Sequence, residues 1–128
     1  ELRYLGIEVH YLFHCVPMRG MSHHRTSVGR GIELIRRINS SGEVPGRAKP
    51  MYTLMTDLGK TTLYEGSVLR ANDSNELLIQ TRYRADDIRR WNPTWKVPDS
   101  VVEDDDGYLQ VWYPDGEDEE QGHLRVVL

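Results

Sequence analysis

Along residues 7–15 the chain alternates, with Ile7, Val9, Tyr11, Phe13 and Cys15 on one side and Glu8, His10, Leu12 and His14 on the other. A period of two in a stretch rich in β-formers predicts a strand. From Thr26 or Ser27, either of which can cap a helix start, Val28, Ile32, Ile35 and Ile38 recur at spacings of four and three. That spacing predicts an amphipathic helix. Arg36 and Arg37 suit its negative C-terminal end, and Asn39–Gly42 supplies its stop, with Gly42 as a left-handed cap. A loop over residues 43–50 leads to the apolar run Met51–Met55. Strand, helix and strand in that order predict a βαβ unit with parallel strands and a right-handed crossover.

The second half changes character. Residues 61–70 and 76–84 flank the turn-rich stretch 71–75 and predict a β-hairpin. A polar segment with Trp91, Trp95 and two prolines follows, then a last short strand, Tyr108–Tyr113. The fold class is therefore α/β: a βαβ unit followed by a mainly β C-terminal segment with a hairpin. The acidic runs at 103–106 and 115–120 read as solvated surface.

Composition narrows the function. With 128 residues the chain supports one modest core. A formal net charge of −4, with acids concentrated in the C-terminal third, argues against a nucleic-acid partner, which needs a clustered basic surface. The single cysteine, Cys15, excludes an internal disulfide and any thiolate-rich metal site made by this chain alone, and sets a cytoplasmic expectation. No apolar run approaches the roughly 20 residues that span a bilayer, so no membrane partner is expected.

Candidate chemistry gathers where parallel strands end, because loops and helix N-termini converge on that edge. Two loops with polar residues share it here, 14–26 and 56–61. The helix start near Ser27 favours an anion, and Arg25 stands ready to reinforce it, unless Arg25 pairs with a surface acid instead. His10 and His14, at about 3.3 Å per residue, stand roughly 13 Å apart along a strand, too far to share one ion, and His23 and His24 do not readily turn both rings to one centre. No metal is expected. Neighbours on a strand face opposite sides, so His14 does not activate Cys15. Lys60 is the sharper case, since a neutral lysine amine condenses with an aldehyde such as pyridoxal phosphate. Gly59 would admit a cofactor close to the backbone and Asp57 would hold an ammonium. The alternative is a lysine in solvent, with Asp57 closing an Asx-turn.

Taken in order, "YLFHC", "GMSHHRTSVGRGIELI" and "TDLGK" resemble the C-terminal part of the lysine 2,3-aminomutase family of radical S-adenosylmethionine enzymes, over residues 4–66. The match is carried by His23, His24, Arg25 and Thr26 with the helix behind them, and by Lys60 with its preceding aspartate and glycine. The resemblance implies an isomerase that moves an amino group between adjacent carbons of an amino acid. In it Lys60 anchors pyridoxal phosphate, Asp57 meets the substrate ammonium and Arg25 is a further substrate contact. Residues 1–66 would be the end of a partial (β/α) barrel with the cofactor-lysine loop, and 67–128 a β-rich extension. Lysine-specific members carry a second carboxylate where this chain has Val16, so the amino acid is not fixed as lysine.

The CxxxCxxC motif that binds a [4Fe–4S] cluster is absent. With Glu1 in place of methionine, this predicts a C-terminal part of a longer enzyme. S-adenosylmethionine and the cluster are expected in the missing N-terminal portion, and the part alone is expected to be inactive. The rival expectation is a non-catalytic dimerisation module with Lys60 on its surface. A homo-oligomer is expected on either reading.

Overall fold

The structure, a computed structural model, describes residues 2–44, 46 and 49–118. Its first sheet orders β1 (Tyr11–Phe13), β2 (Met51–Thr56) and β3 (Gly59–Thr62) side by side. Helix α1 (Val28–Ser40) crosses between β1 and β2, which run parallel, with Tyr11 opposite Met51 and Phe13 opposite Thr53. The expected βαβ unit is present, and β3 returns antiparallel to β2 with Lys60 opposite Met55. The second sheet holds β4 (Val68–Ala71), β5 (Glu76–Arg84), β6 (Val101–Glu103) and β7 (Tyr108–Pro114), in the order β4-β5-β7-β6, all antiparallel. Helix α2 (Ala85–Trp91) follows β5. The chain is thus mixed α/β with more strand than helix, and the expected partial barrel is not a feature of these two open sheets. No helix among the described residues is long and apolar enough to cross a membrane.

The first strand is shorter than its alternation predicts. Its one neighbour, β2, begins opposite Tyr11, so Ile7 and Val9 have no ladder to join and lie exposed. The run 61–70 also divides: Thr61 and Thr62 end β3, and β4 begins at Val68 in the other sheet. Between them Gly66 takes φ +81°, a left-handed value that disfavours any side chain. The Ser67 hydroxyl clamps that turn, accepting from Tyr64 N and donating to Tyr64 O. The hairpin around residues 71–75 is found as expected, with Asn72 Oδ1 accepting from Ser74 N and Glu76 N.

One face of the first sheet is covered. Tyr52 and Leu54 pack with Val28 of α1 and with Ile79, Val111 and Tyr113 of the second sheet in a single apolar cluster. Helix and sheet touch most closely at Gly31, where a Cβ would stand 2.1 Å from both Cζ and Oη of Tyr52. Glycine here is a packing requirement. Side chains alternate across a strand, so Tyr11, Phe13, Met51, Met55 and Lys60 share the opposite face. Its rim is open, with Phe13 49% exposed, while Thr53 at its centre is fully buried and shares a hydrogen bond with Thr62.

Helix α1 is capped from both near and far in sequence. Ser27 is its N-cap, with Oγ accepting from Arg30 N at 3.0 Å. Two carboxylates from beyond β7 take further donors: Asp115 Oδ1 accepts from Val28 N at 2.7 Å, and Asp118 accepts from Ser27 N and Ser27 Oγ. Negative charge at a helix start meets unpaired N–H groups and the positive end of the dipole. Residues 115–118, expected as solvated surface, are instead a strap across the helix start, while residues 119–120 of that run lie outside the described residues. Gly116 lets the strap pass, since a Cβ there would stand 2.0 Å from the Thr26 carbonyl oxygen.

Candidate functional site

Lys60 enters the structure as the second residue of β3, on the uncovered face. Its ammonium lies 4.2 Å from the centroid of the Tyr11 ring, and no carboxylate among the described residues pairs with it. The turn before it, Thr56–Gly59, is closed by the Thr56 hydroxyl, which accepts from Leu58 N. Gly59 has φ +90°, so the turn itself requires glycine. Asp57 closes no Asx-turn; its Oδ2 accepts from Ser100 Oγ at 2.6 Å.

Beside Lys60 a groove of about 560 Å³ runs between the free edge of β3 and residues 81–83 of β5. Lys60, Thr62, Tyr64, Arg82 and Tyr83 line it. The Tyr83 hydroxyl donates to the Lys60 carbonyl at 2.8 Å, tying the two strands together across the groove. The Arg82 guanidinium lies 4.4 Å from the Tyr64 ring centroid. Such dimensions suit a small ligand, although the Lys60 ammonium itself lies over Tyr11, outside the groove lining.

Arg25 is committed elsewhere. Its Nε donates to the Cys15 carbonyl at 3.1 Å, its two terminal nitrogens donate to the carbonyls of Pro114 and Asp115, and its guanidinium lies 5.5 Å from the Tyr113 ring centroid. It joins the loop after β1 to the end of β7. The helix start that was expected to take an anion holds the chain's own Asp115 and Asp118. Among the described residues, Lys60 lines the groove beside β3 and Arg25 a separate cleft with Asp115 and Asp118.

His14 is the buried polar centre of this junction, at 4% exposure. Its Nε2 lies 2.7 Å from the Thr26 carbonyl, which only accepts, so Nε2 carries the proton. In the neutral ring Nδ1 therefore accepts from the Tyr113 hydroxyl, also at 2.7 Å. Burial holds the His14 pKa below its ordinary value; the Thr26 bond opposes that shift, the nearby Arg25 charge adds to it, and Asp115 opposes it. The Tyr52 hydroxyl is buried without a hydrogen-bond partner, and burial raises its pKa far above the usual phenol range.

Among the described residues, His10, His23 and His24 assemble no ligand set. His10 packs edge-on against Tyr11, and the rings of His23 and His24 lie 3.9 Å apart, tilted by 47°. No cluster of three or more His, Cys, Asp or Glu side chains that could hold a metal is found among the described residues. Cys15 is a half-buried free thiol, and Val16 is exposed on the loop after β1. Sequence reasoning weighed His14 only as a metal ligand or base and read Asp115 as solvated surface, and it passed over Tyr113 and Arg82. Only Arg82 carried a local signal, standing beside two tyrosine-bearing segments.

Comparison with known proteins gives one partial likeness. A protein of Aquifex aeolicus (strain VF5) named "Putative L-lysine 2,3-aminomutase" is 33% identical to this chain over 60 residues. Those residues are 47% of this chain, and they span 16% of that relative's length. No family model matches the chain. No solved structure matches it either.

Proposed function

We propose that this chain is part of a larger aminomutase-type isomerase in which Lys60 anchors pyridoxal phosphate. The observation that carries the proposal is the 33% identity over 60 residues with the Aquifex protein. Its support in this structure is Lys60 itself: an amine with no carboxylate partner among the described residues, beside a groove of cofactor dimensions. When bound, the cofactor supplies the delocalised ring that lets nitrogen migrate between adjacent carbons, with the radical generated by a cluster and S-adenosylmethionine elsewhere in the parent. This chain's residues hold and orient. Tyr83 fixes the Lys60 backbone, the Thr56 turn sets the start of β3, and Asp57, at the same turn, is the candidate contact for a substrate ammonium. Arg25 serves by fixing the loop that carries Val16. The uncovered face of the first sheet, with Lys60 on it and α1 behind, is what the interior of a (β/α) barrel would present.

The same uncovered face favours a second reading, a non-catalytic module that pairs through it, because exposed Phe13, Met51 and Met55 there invite a partner layer. Cofactor chemistry separates the two. Treat the chain with pyridoxal phosphate, reduce with borohydride and map the modified lysines by mass spectrometry. Label concentrated at Lys60 and lost in Lys60→Ala supports the enzyme reading. Label spread evenly over Lys49, Lys60 and Lys96 rejects it in favour of the module.

A further inference from the structure

We infer that residues 115–118 form an acid-released strap, latched over the start of α1 by the buried His14 ring and opened when that ring takes up a proton.

The latch is a continuous chain of hydrogen bonds. Nε2 of His14 donates to the Thr26 carbonyl and Nδ1 accepts from the Tyr113 hydroxyl. Thr26 is where the strap lies down, since a Cβ at Gly116 would stand 2.0 Å from its carbonyl oxygen. One residue earlier, Arg25 grips the strap twice. Its terminal nitrogens donate to the Pro114 and Asp115 carbonyls, and its own carbonyl accepts from Glu117 N at 3.3 Å. The strap's carboxylates then meet Val28 N and Ser27. Asp115 N, bonded to the Asn75 carbonyl at 2.9 Å, anchors its root.

A proton on Nδ1 upsets this arrangement. Nδ1 then donates, so the Tyr113 hydroxyl must turn its own proton away and accept. The Arg25 guanidinium interacts with that same hydroxyl, so two cations meet at one phenol oxygen in a junction closed to water. The other groups facing the ring do not offset them. Tyr52 of β2 presents a phenol that burial keeps neutral. Asp115 favours the charged ring, but its Oδ1 is already engaged by Val28 N and Gly116 N. On the α1 side Glu33 is paired with Arg30 at 2.6 Å, while Arg37 and His24 bring no negative charge. Relief comes when Arg25 moves off, and that releases the Pro114 and Asp115 carbonyls.

Linkage fixes the direction. Closed, burial first and Arg25 next hold the His14 pKa below its ordinary value, against the Thr26 bond and Asp115. Open, with water at the ring, it returns toward about 6.5. Opening therefore takes up a proton. The opening constant rises as pH falls below about 6.5, by up to about tenfold per pH unit, and levels off once the closed state's own pKa is passed. Asp118 acts in the same direction only in stronger acid, because its bonds from Ser27 hold its pKa below the ordinary carboxylate value. Release bares the amides of Ser27 and Val28 and loosens the loop after β1, which Arg25 ties at the Cys15 carbonyl.

Amide hydrogen exchange read by NMR tests the latch, with Val28 and Glu117 as strap reporters and Gln80, bonded to the Ser67 carbonyl at 2.7 Å in the second sheet, as the reference. After correction for intrinsic rates, the opening constant at Val28 and Glu117 is expected to rise about three- to tenfold from pH 7.5 to 5.5. That opening should depend little on low urea, whereas Gln80 should show the steep dependence of a larger unfolding. His14→Gln is expected to leave the strap's opening constant across the range. Asp118→Asn is expected to raise it at every pH and keep the slope. If Val28 and Glu117 follow Gln80 in urea dependence, the strap does not open by itself and the inference falls. If they open locally but keep their pH slope in His14→Gln, His14 is not the trigger. Should that variant fail to fold, NMR titration of the His14 ring in the unmodified chain decides: its pKa must coincide with the pH at which the Val28 slope levels off, and a mismatch overturns the latch.

Discussion

Replacing Gly31 by alanine is a sharp test of how α1 seats on the first sheet. An added Cβ would lie 2.1 Å from Cζ and Oη of Tyr52 and 2.7 Å from Cε1, where carbon atoms ordinarily keep about 3.5–4.0 Å. Helix and sheet must therefore part by about 1.5 Å or the buried Tyr52 ring must shift. Overpacking of this kind costs about 1–3 kcal/mol, and a clash against a ring held by a central strand belongs at the upper end. Alanine returns about 1 kcal/mol in helix propensity. The net expectation for Gly31→Ala is a loss of about 1–2 kcal/mol. Gly29 is the internal control: its added Cβ would meet only Ser27 Oγ at 3.7 Å, an ordinary contact. Gly29→Ala should stabilise by up to about 1 kcal/mol, so two glycines on one helix should move stability in opposite directions. Urea midpoints of both variants, at equal slope, decide the matter. Should Gly31→Ala match or exceed Gly29→Ala in stability, the close seating of α1 on Tyr52 is wrong.

Acidification probes the His14 junction. The folded pKa of His14 lies below its unfolded value near 6.5, so below that pH the unfolded chain binds more protons and stability falls. Urea midpoints should hold steady above about pH 6.5 and drop beneath it, and His14→Gln should flatten that portion of the profile; an unchanged slope would contradict the buried neutral ring. Arg25→Lys cannot reproduce a fork spread over the Cys15, Pro114 and Asp115 carbonyls and should lower stability by about 2 kcal/mol in thermal melts. Ser27→Ala removes the cap to Arg30 N and the hydroxyl bond to Asp118, with an expected loss of about 1 kcal/mol by denaturant titration.

Local signals carried the elements that are made locally. Helix α1 starts at its capping serine because Ser27 and the spacing of Val28, Ile32 and Ile35 act within a few residues. The 71–75 hairpin is legible in the same way. Helix α2 also left a mark, Asp86 and Asp87 at its start and Arg89 and Arg90 at its end, which match the helix dipole. Its seven residues are too few to show a periodic stripe. The length of β1 was not legible, because it depends on where a strand some 40 residues later begins to pair. Within the candidate site, the exposure of Lys60 on a strand follows from its position. The commitments of Arg25, with partners 89 and 90 residues away, and of His14, bonded to Tyr113 99 residues away, belong to tertiary packing and leave no trace in sequence spacing.

A helix sealed by Asp115, 87 residues downstream of Val28, has a bearing on biosynthesis. At a translation rate of about 5–20 residues per second, α1 leaves the ribosome roughly 4–17 s before its distant cap. During that interval its leading amides have only Ser27 and water. The start of α1 is thus completed only when residues 115–118 emerge, so this seal is among the last contacts the growing polypeptide can make.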